Sequence, residues 1–309
     1  MTTLTRPAPP TIRPGREHAL REIGVFLGVT VVLTGLTTGV ALAEGVDVRR
    51  IGDASALGQA AMYLQALVPL VAALAARSVT HGSLRRPGWG FRRTSWRNVA
   101  KGWGYGLATT VAGGAAVWAT GSGGFRTSGL GPSVALGLTV LVLPYVVLAL
   151  AEDVGWRGLL VTRLAQIAGP RSVVLVGGLA WSAFHWPMIA LLGGTPEGVS
   201  VWFALAAFTV ATTSFGAVLA SMQLRWGIWP GVVAHAVVNA TLYHVLEPLT
   251  VEHAHTTWFS TETGLFAACS ALIGGWLWWR RYPLAVLADG RTGVPAAPVA
   301  MATAAGQRS

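Results

Sequence analysis

The chain has 309 residues, 53% of them hydrophobic and 11% charged, with a mean hydropathy of +0.56. Water-soluble domains usually carry about 25% charged residues, so this balance excludes an ordinary soluble fold and points to an integral membrane protein. The formal charge of +10 would suggest nucleic acid in a soluble chain, but the basic residues, all Arg except Lys101, sit mostly in short connecting segments, a distribution that sets membrane orientation and implies no nucleic-acid partner.

Crossing a hydrocarbon core of about 30 Å takes roughly 20 apolar residues. Eight runs reach about that length, near 23–43, 54–76, 102–120, 134–162, 172–192, 199–222, 228–246 and 263–279. The expected fold is an all-α polytopic bundle of about eight transmembrane helices, with a helical domain at 21–285 between disordered tails at 1–20 and 286–309, both poor in apolar surface. Ala41-Leu42-Ala43 looks like a signal-peptidase site, but the run before it is longer than a signal peptide's apolar region, so the first helix is expected to be retained. The fourth run is overlong and contains Pro144, which predicts a kink or strong tilt.

Arg6, Arg13, Arg16 and Arg21 precede the first run, and Arg77, Arg85, Arg86, Arg92, Arg93, Arg97 and Lys101 follow the second without an acid among them. Arg163 with Arg171, then Arg225, then Arg280 with Arg281, fall in the later even-numbered connections and the C-terminal flank. The positive-inside rule therefore puts both termini in the cytoplasm, and a bacterial plasma membrane is the expected location. Glycines at 102–106, 113–114 and 177–178 suit close helix crossings, and Trp226, Trp229, Trp276, Trp278 and Trp279 suit an interfacial belt. The single cysteine, Cys269, rules out a disulfide framework and a cysteine metal site within one chain.

Glu152 and Asp153 are the only acids inside these apolar runs, and a carboxylate in hydrocarbon costs about 2.5–3.5 kcal/mol by insertion scales. Such residues are functional candidates. Three runs carry polar pairs at helical spacing: Asp153 and Arg157, Trp181 and His185, His235 and Asn239, each i, i+4 and so on one helix face. Glu152 projects about 100° round from Asp153. Counted from the nearest cytoplasmic Arg at about 1.5 Å per residue, Glu152, His185 and His235 lie roughly 17, 21 and 15 Å deep. They share a level. A buried carboxylate beside an imidazole suits general-base activation of water, and a second His with an amide one turn on suits oxyanion stabilisation. No Ser or Cys stands out as a nucleophile.

These patches resemble the CPBP intramembrane proteases, the group of the type II CAAX prenyl endopeptidases. Glu152-Asp153-Val154-Gly155-Trp156-Arg157 looks like the family's two acids, three residues and Arg; Trp181-Ser182-Ala183-Phe184-His185 is similar to its aromatic, three residues and His; His235-Ala236-Val237-Val238-Asn239 resembles its third motif. The likeness spans about 134–246. It implies an intramembrane endopeptidase acting on a membrane-associated or lipidated peptide or protein, with Glu152 as water-activating base, His185 as its partner, and His235 and Asn239 as oxyanion stabilisers. Asp153, Arg157 and Trp181 support them. Two departures are Asp153, where the family usually has Glu, and Trp181, where Phe is typical; the Trp is expected mainly to alter packing.

No cofactor is expected, and metal-free chemistry is placed ahead of a metal-dependent reaction. If metal-dependent, Glu152, His185 and His235 are the ligands, zinc being the candidate. The alternatives are a proton-coupled transporter using Glu152 and the His residues as a relay, or a catalytically silent peptide-binding membrane scaffold. His244 is expected to face away from the site.

Overall fold

A proline with no N–H to satisfy and an acid in the first turn both favour a helix start, and α1 opens on them, running Pro14–Ala43 with Glu17 near its head. Residues 14–20 therefore belong to this helix rather than to the tail. The computed structural model describes residues 14–81 and 89–282, nearly all of them helical. The remaining tail residues, including Arg6 and Arg13, and Arg85 and Arg86 of the second loop lie outside the described residues.

After α1 a 3-10 turn, Val48–Asp53, is opened by Asp47, whose carboxylate accepts from the Arg49 backbone and pairs with Arg49 and Arg50. The long helices α2 (Ala56–His81) and α3 (Trp96–Ala119) follow, then α4 (Leu130–Gly137) and α5 (Val142–Asp153). From Val154 to Val161 the α5 axis continues as π-helix, and α6 (Thr162–Ile167) completes it. The second half holds α7 (Pro170–Leu191), α8 (Val201–Trp226) and α9 (Ile228–Thr241). The α9 axis ends in a π turn, Leu242–Leu246, and the short α10 (Glu247–Leu249). Next come α11 (Thr256–Phe259) and α12 (Leu265–Arg281). One two-residue ladder, β1 (Gly124–Phe125) with antiparallel β2 (Thr250–Val251), ties the loop after α3 to that after α10.

Among the described residues, α1, α2, α7 and α8 are long and apolar enough to cross a membrane, and α4 with α5–α6, bent by 41°, makes a possible fifth span. The runs at 102–120, 228–246 and 263–279 are also helical, yet they fall short of that test. Of these, α12 has only 17 residues, α9 only 14 before its π turn, and α3 is diluted by glycines and a polar first turn. The bend sits at residues 138–141, just before Pro144. Pro144 is the third residue of α5, where a missing N–H breaks no intrahelical bond, so the proline starts the helix instead of kinking it.

Helix α1 packs on α2, α7 on α8, α3 on α9, and α12 on α8 and α3, with α5 against α9. Glycine permits the tightest crossings. A Cβ on Gly106 would lie 2.6 Å from the Ala234 carbonyl oxygen, and one on Gly178 2.8 Å from Thr213 Cα. The first sets α9, which carries His235 and Asn239, against α3, and the second sets α7, which carries Trp181 and His185, against α8. The main core gathers Phe26, Trp156, Leu159, Leu160, Phe184 and Met222 between α1, the π segment, α7 and α8.

Two sequence expectations change here. Glu22, one residue outside the first apolar run, is fully buried, pairing with Arg77 of α2 at 2.6 Å and with Arg163 of α6. The acids at 152 and 153 are therefore not alone in the interior. Trp278 belongs to the core and not to the belt: it is buried, with its Nε1 donating to Ser221 Oγ at 3.1 Å. Trp276 and Trp229 do face outward.

Candidate active site

The junction of α5 and its π segment separates the adjacent acids. Asp153 is 1% exposed and Glu152 half-exposed, as expected for neighbours about 100° apart on a helix. Arg157 Nη1 donates to Asp153 Oδ1 at 2.8 Å, and both side chains are buried. The guanidinium lies flat over Trp181, its Cζ 3.6 Å from the indole centroid. A carboxylate and an aromatic face thus share one buried cation.

Trp181 lies in α7, where the Gly178 crossing brings the helix close to α8. Its Nε1 donates to Glu152 Oε2 at 3.0 Å. A phenylalanine has no such donor, so the tryptophan does more than alter packing: it orients one oxygen of Glu152. One turn on, His185 Nδ1 lies 2.9 Å from the Trp181 carbonyl oxygen. A carbonyl only accepts, so the neutral ring carries its proton on Nδ1 and leaves Nε2 as the basic nitrogen. The imidazole packs edge-on against Phe184 and tilted against Phe208, at centroid distances of 4.9 and 5.2 Å. It lies within electrostatic reach of Glu152, His235 and Arg157.

On α9, His235 turns to Asp153 rather than Glu152. Its Nδ1 is 3.6 Å from Asp153 Oδ1, too far for a hydrogen bond, and its ring meets Trp181 edge to face at 5.2 Å. His235 is buried, whereas Asn239, one turn further, is half-buried and makes no side-chain hydrogen bond to the described residues. Trp181 is therefore the side chain that joins the motifs: it touches Glu152, Arg157 and His235 directly and holds His185 through its carbonyl. The half-exposed members are Glu152, His185 and Asn239. The buried ones are Asp153, Arg157, Trp181 and His235.

Glu152, His185 and His235 are not gathered as metal ligands, and among the described residues no group of three or more His, Cys, Asp or Glu is so arranged. Their polar atoms turn to different neighbours. Glu152 is drawn to Trp181, His185 Nδ1 to a carbonyl, and His235 to Asp153.

Residues 133–241 match the family model described as Type II CAAX prenyl endopeptidase Rce1-like. This segment is similar to that family. It contains all three polar motifs, and its family is one of peptidases. No curated protein matches the chain. The matched segment is completed by side chains the sequence pattern did not flag. Thr162 Oγ1 donates to the Arg157 carbonyl at 3.0 Å, and Gln223 Nε2 reaches Thr162 Oγ1 at 3.5 Å, linking the π segment to α8. The separation of five between Thr162 and Arg157 is a π spacing, which an α-helical search passes over. Below Glu152 on α5, Tyr145 is bonded to His244 at 3.2 Å. His244 thus faces a second polar cluster, with Tyr243 and the acids Glu247 and Glu262, at the end of the domain remote from Arg163.

Proposed function

We propose that the protein is an intramembrane endopeptidase hydrolysing a peptide bond of a membrane-associated or lipidated substrate. The observation that carries this reading is the split in exposure. Glu152, His185 and Asn239 are only partly buried, while the groups that orient and balance them are buried. In the proposed cycle Glu152 takes a proton from water held between it and His185 Nε2, and the water oxygen bonds to the scissile carbonyl carbon. Asn239, backed by His235, donates to the developing oxyanion. Glu152 then returns its proton to the leaving nitrogen as the C–N bond breaks. Asp153 neutralises Arg157, and Trp181 fixes the Glu152 carboxylate. No step is routed through a metal.

The same reading places eight spans in a bacterial plasma membrane with both termini cytoplasmic. Shotgun comparison of membrane peptides from cells expressing wild type or Glu152→Ala, with a chelator-treated arm, tests it. Precursors should accumulate in the variant. Identical peptide profiles in wild type and variant would sink the proposal, and chelator sensitivity would move Glu152, His185 and His235 into a metal role.

A further inference from the structure

Beyond the level of Glu152, toward the end of the bundle remote from Arg163, aromatic rings and acids gather on two helix axes. Tyr145 lies two turns from Glu152 on the same face of α5, about 10 Å along its axis. Tyr243 and His244 follow Asn239 on the α9 axis, in its π turn. The Tyr145 hydroxyl meets His244 Nε2 at 3.2 Å, and its ring centroid lies 5.6 Å from that of His244 and 6.2 Å from that of Tyr243. Tyr243 in turn donates to the Glu262 carboxylate, and Glu247 and Glu252 lie within electrostatic reach of Glu262 and of each other.

Among the described residues no Lys or Arg pairs with Glu247, Glu252 or Glu262. That includes Arg126, whose backbone N–H donates to the Leu249 carbonyl at 2.8 Å. The acids repel one another, and a tyrosine hydroxyl brings no positive charge to offset them. A cation would. Tyrosine faces attract cations as well, so the rings and the carboxylates ask for the same ligand. Among the described residues these acids are not gathered as metal ligands. Spaced carboxylates beside aromatic faces suit a broad organic cation, and a planar guanidinium can use both.

We propose that this cluster binds a basic side chain, an arginine above all, of the peptide cut at Glu152. The identity of the ligand rests on the peptidase reading; the affinity for a cation does not. An extended peptide advances about 3.3 Å per residue, so a chain held at Glu152 brings a side chain about three residues from the scissile bond to Tyr145 and His244.

Binding to the full-length Glu152→Gln variant in neutral detergent tests this, with labelled peptides followed by fluorescence anisotropy. The probes are a largely apolar peptide carrying one Arg and its counterparts with citrulline or Glu in that place, at mildly alkaline pH, where Glu247 is ionised. The Arg peptide should bind about tenfold more tightly than the citrulline peptide, and the Glu peptide most weakly. Adding Glu247→Gln with Glu262→Gln should bring the Arg-to-citrulline ratio below about twofold, whereas Asp53→Asn with Glu197→Gln, which removes the same charge outside the cluster, should leave it unchanged. If the first pair does not fold, Glu247→Gln alone, at an exposed position, should cut the ratio about threefold. Equal binding of the Arg and citrulline peptides, or an equal loss in the control pair, overturns the proposal. Hydrolysis of the same peptides by wild type reports separately on the peptidase reading. Cutting with no Arg preference overturns this site alone; Arg preference with no cutting supports the cation site and counts against the peptidase.

Discussion

Neighbouring acids with different surroundings should respond differently to the same change, loss of the negative charge. In Asp153→Asn the Arg157 guanidinium, on a side chain only 3% exposed, loses its carboxylate partner with no solvent to replace it. Breaking a buried pair from one side costs about 3–5 kcal/mol. In Glu152→Gln the half-exposed side chain keeps an amide oxygen that can still accept from Trp181 Nε1, so the expected cost is about 1 kcal/mol or less. The gap of roughly 3 kcal/mol is more than a hundredfold in the unfolding equilibrium. Unfolding of both variants in detergent, followed by circular dichroism, measures it. The double change Asp153→Leu with Arg157→Met provides the control, since removing both charges should recover most of the stability lost by Asp153→Asn. Activity should follow the opposite order, with Glu152→Gln folded but inactive. Equal stability losses, or a larger loss for Glu152→Gln, would refute the division of roles.

Trp181→Phe removes the indole N–H while leaving a ring for Arg157. A hydrogen bond to a charged acceptor contributes about 1.5–3 kcal/mol, so kcat should fall about tenfold or more with little change in KM; unchanged kcat would show that Trp181 does not position Glu152. At the far end, burial first and then the charges of Glu262 and Glu252 push the Glu247 carboxyl up to about 7. A raised carboxyl holds its proton more tightly in the folded state, so stability should fall as pH rises from about 4.5 through 7. Melting curves across that range should flatten in Glu247→Gln, and an equal slope in the variant would exclude Glu247 as the source.

Helix existence was legible because hydrocarbon-length apolar runs leave few other solutions, and the motifs were legible because i, i+4 spacing puts their members on one face. The number of spans was not. Run length counts apolar residues without regard to whether a helix such as α12 stops at 17 residues or α9 loosens into a π turn. Burial of Glu22 escaped notice because its position at the edge of an apolar run gives no hint that Arg77 and Arg163 fold over it. The split of Glu152 from Asp153 could be stated as an angle, but which acid meets α9 depends on how α5 is rotated in the bundle. His235 accordingly faces Asp153, and the bond from Trp181 to Glu152 depends on a side-chain direction that composition does not encode.

The π segment between Asp153 and Thr162 sets two angular alignments that a uniform α-helix could not both satisfy. Upstream of it, the axis aims Glu152 and Asp153 at α7 and α9; downstream, it aims Arg163 at Glu22 in α1. Closing the segment to α geometry with every residue kept would rotate everything beyond it by about 100° relative to the acids, because a π turn takes up one more residue than an α turn. The choice would then lie between an aligned cleft with a detached first helix and a docked first helix with misaligned acids. Loss of the π geometry here acts as a phase error, and substitutions elsewhere on the same helix would not repair it.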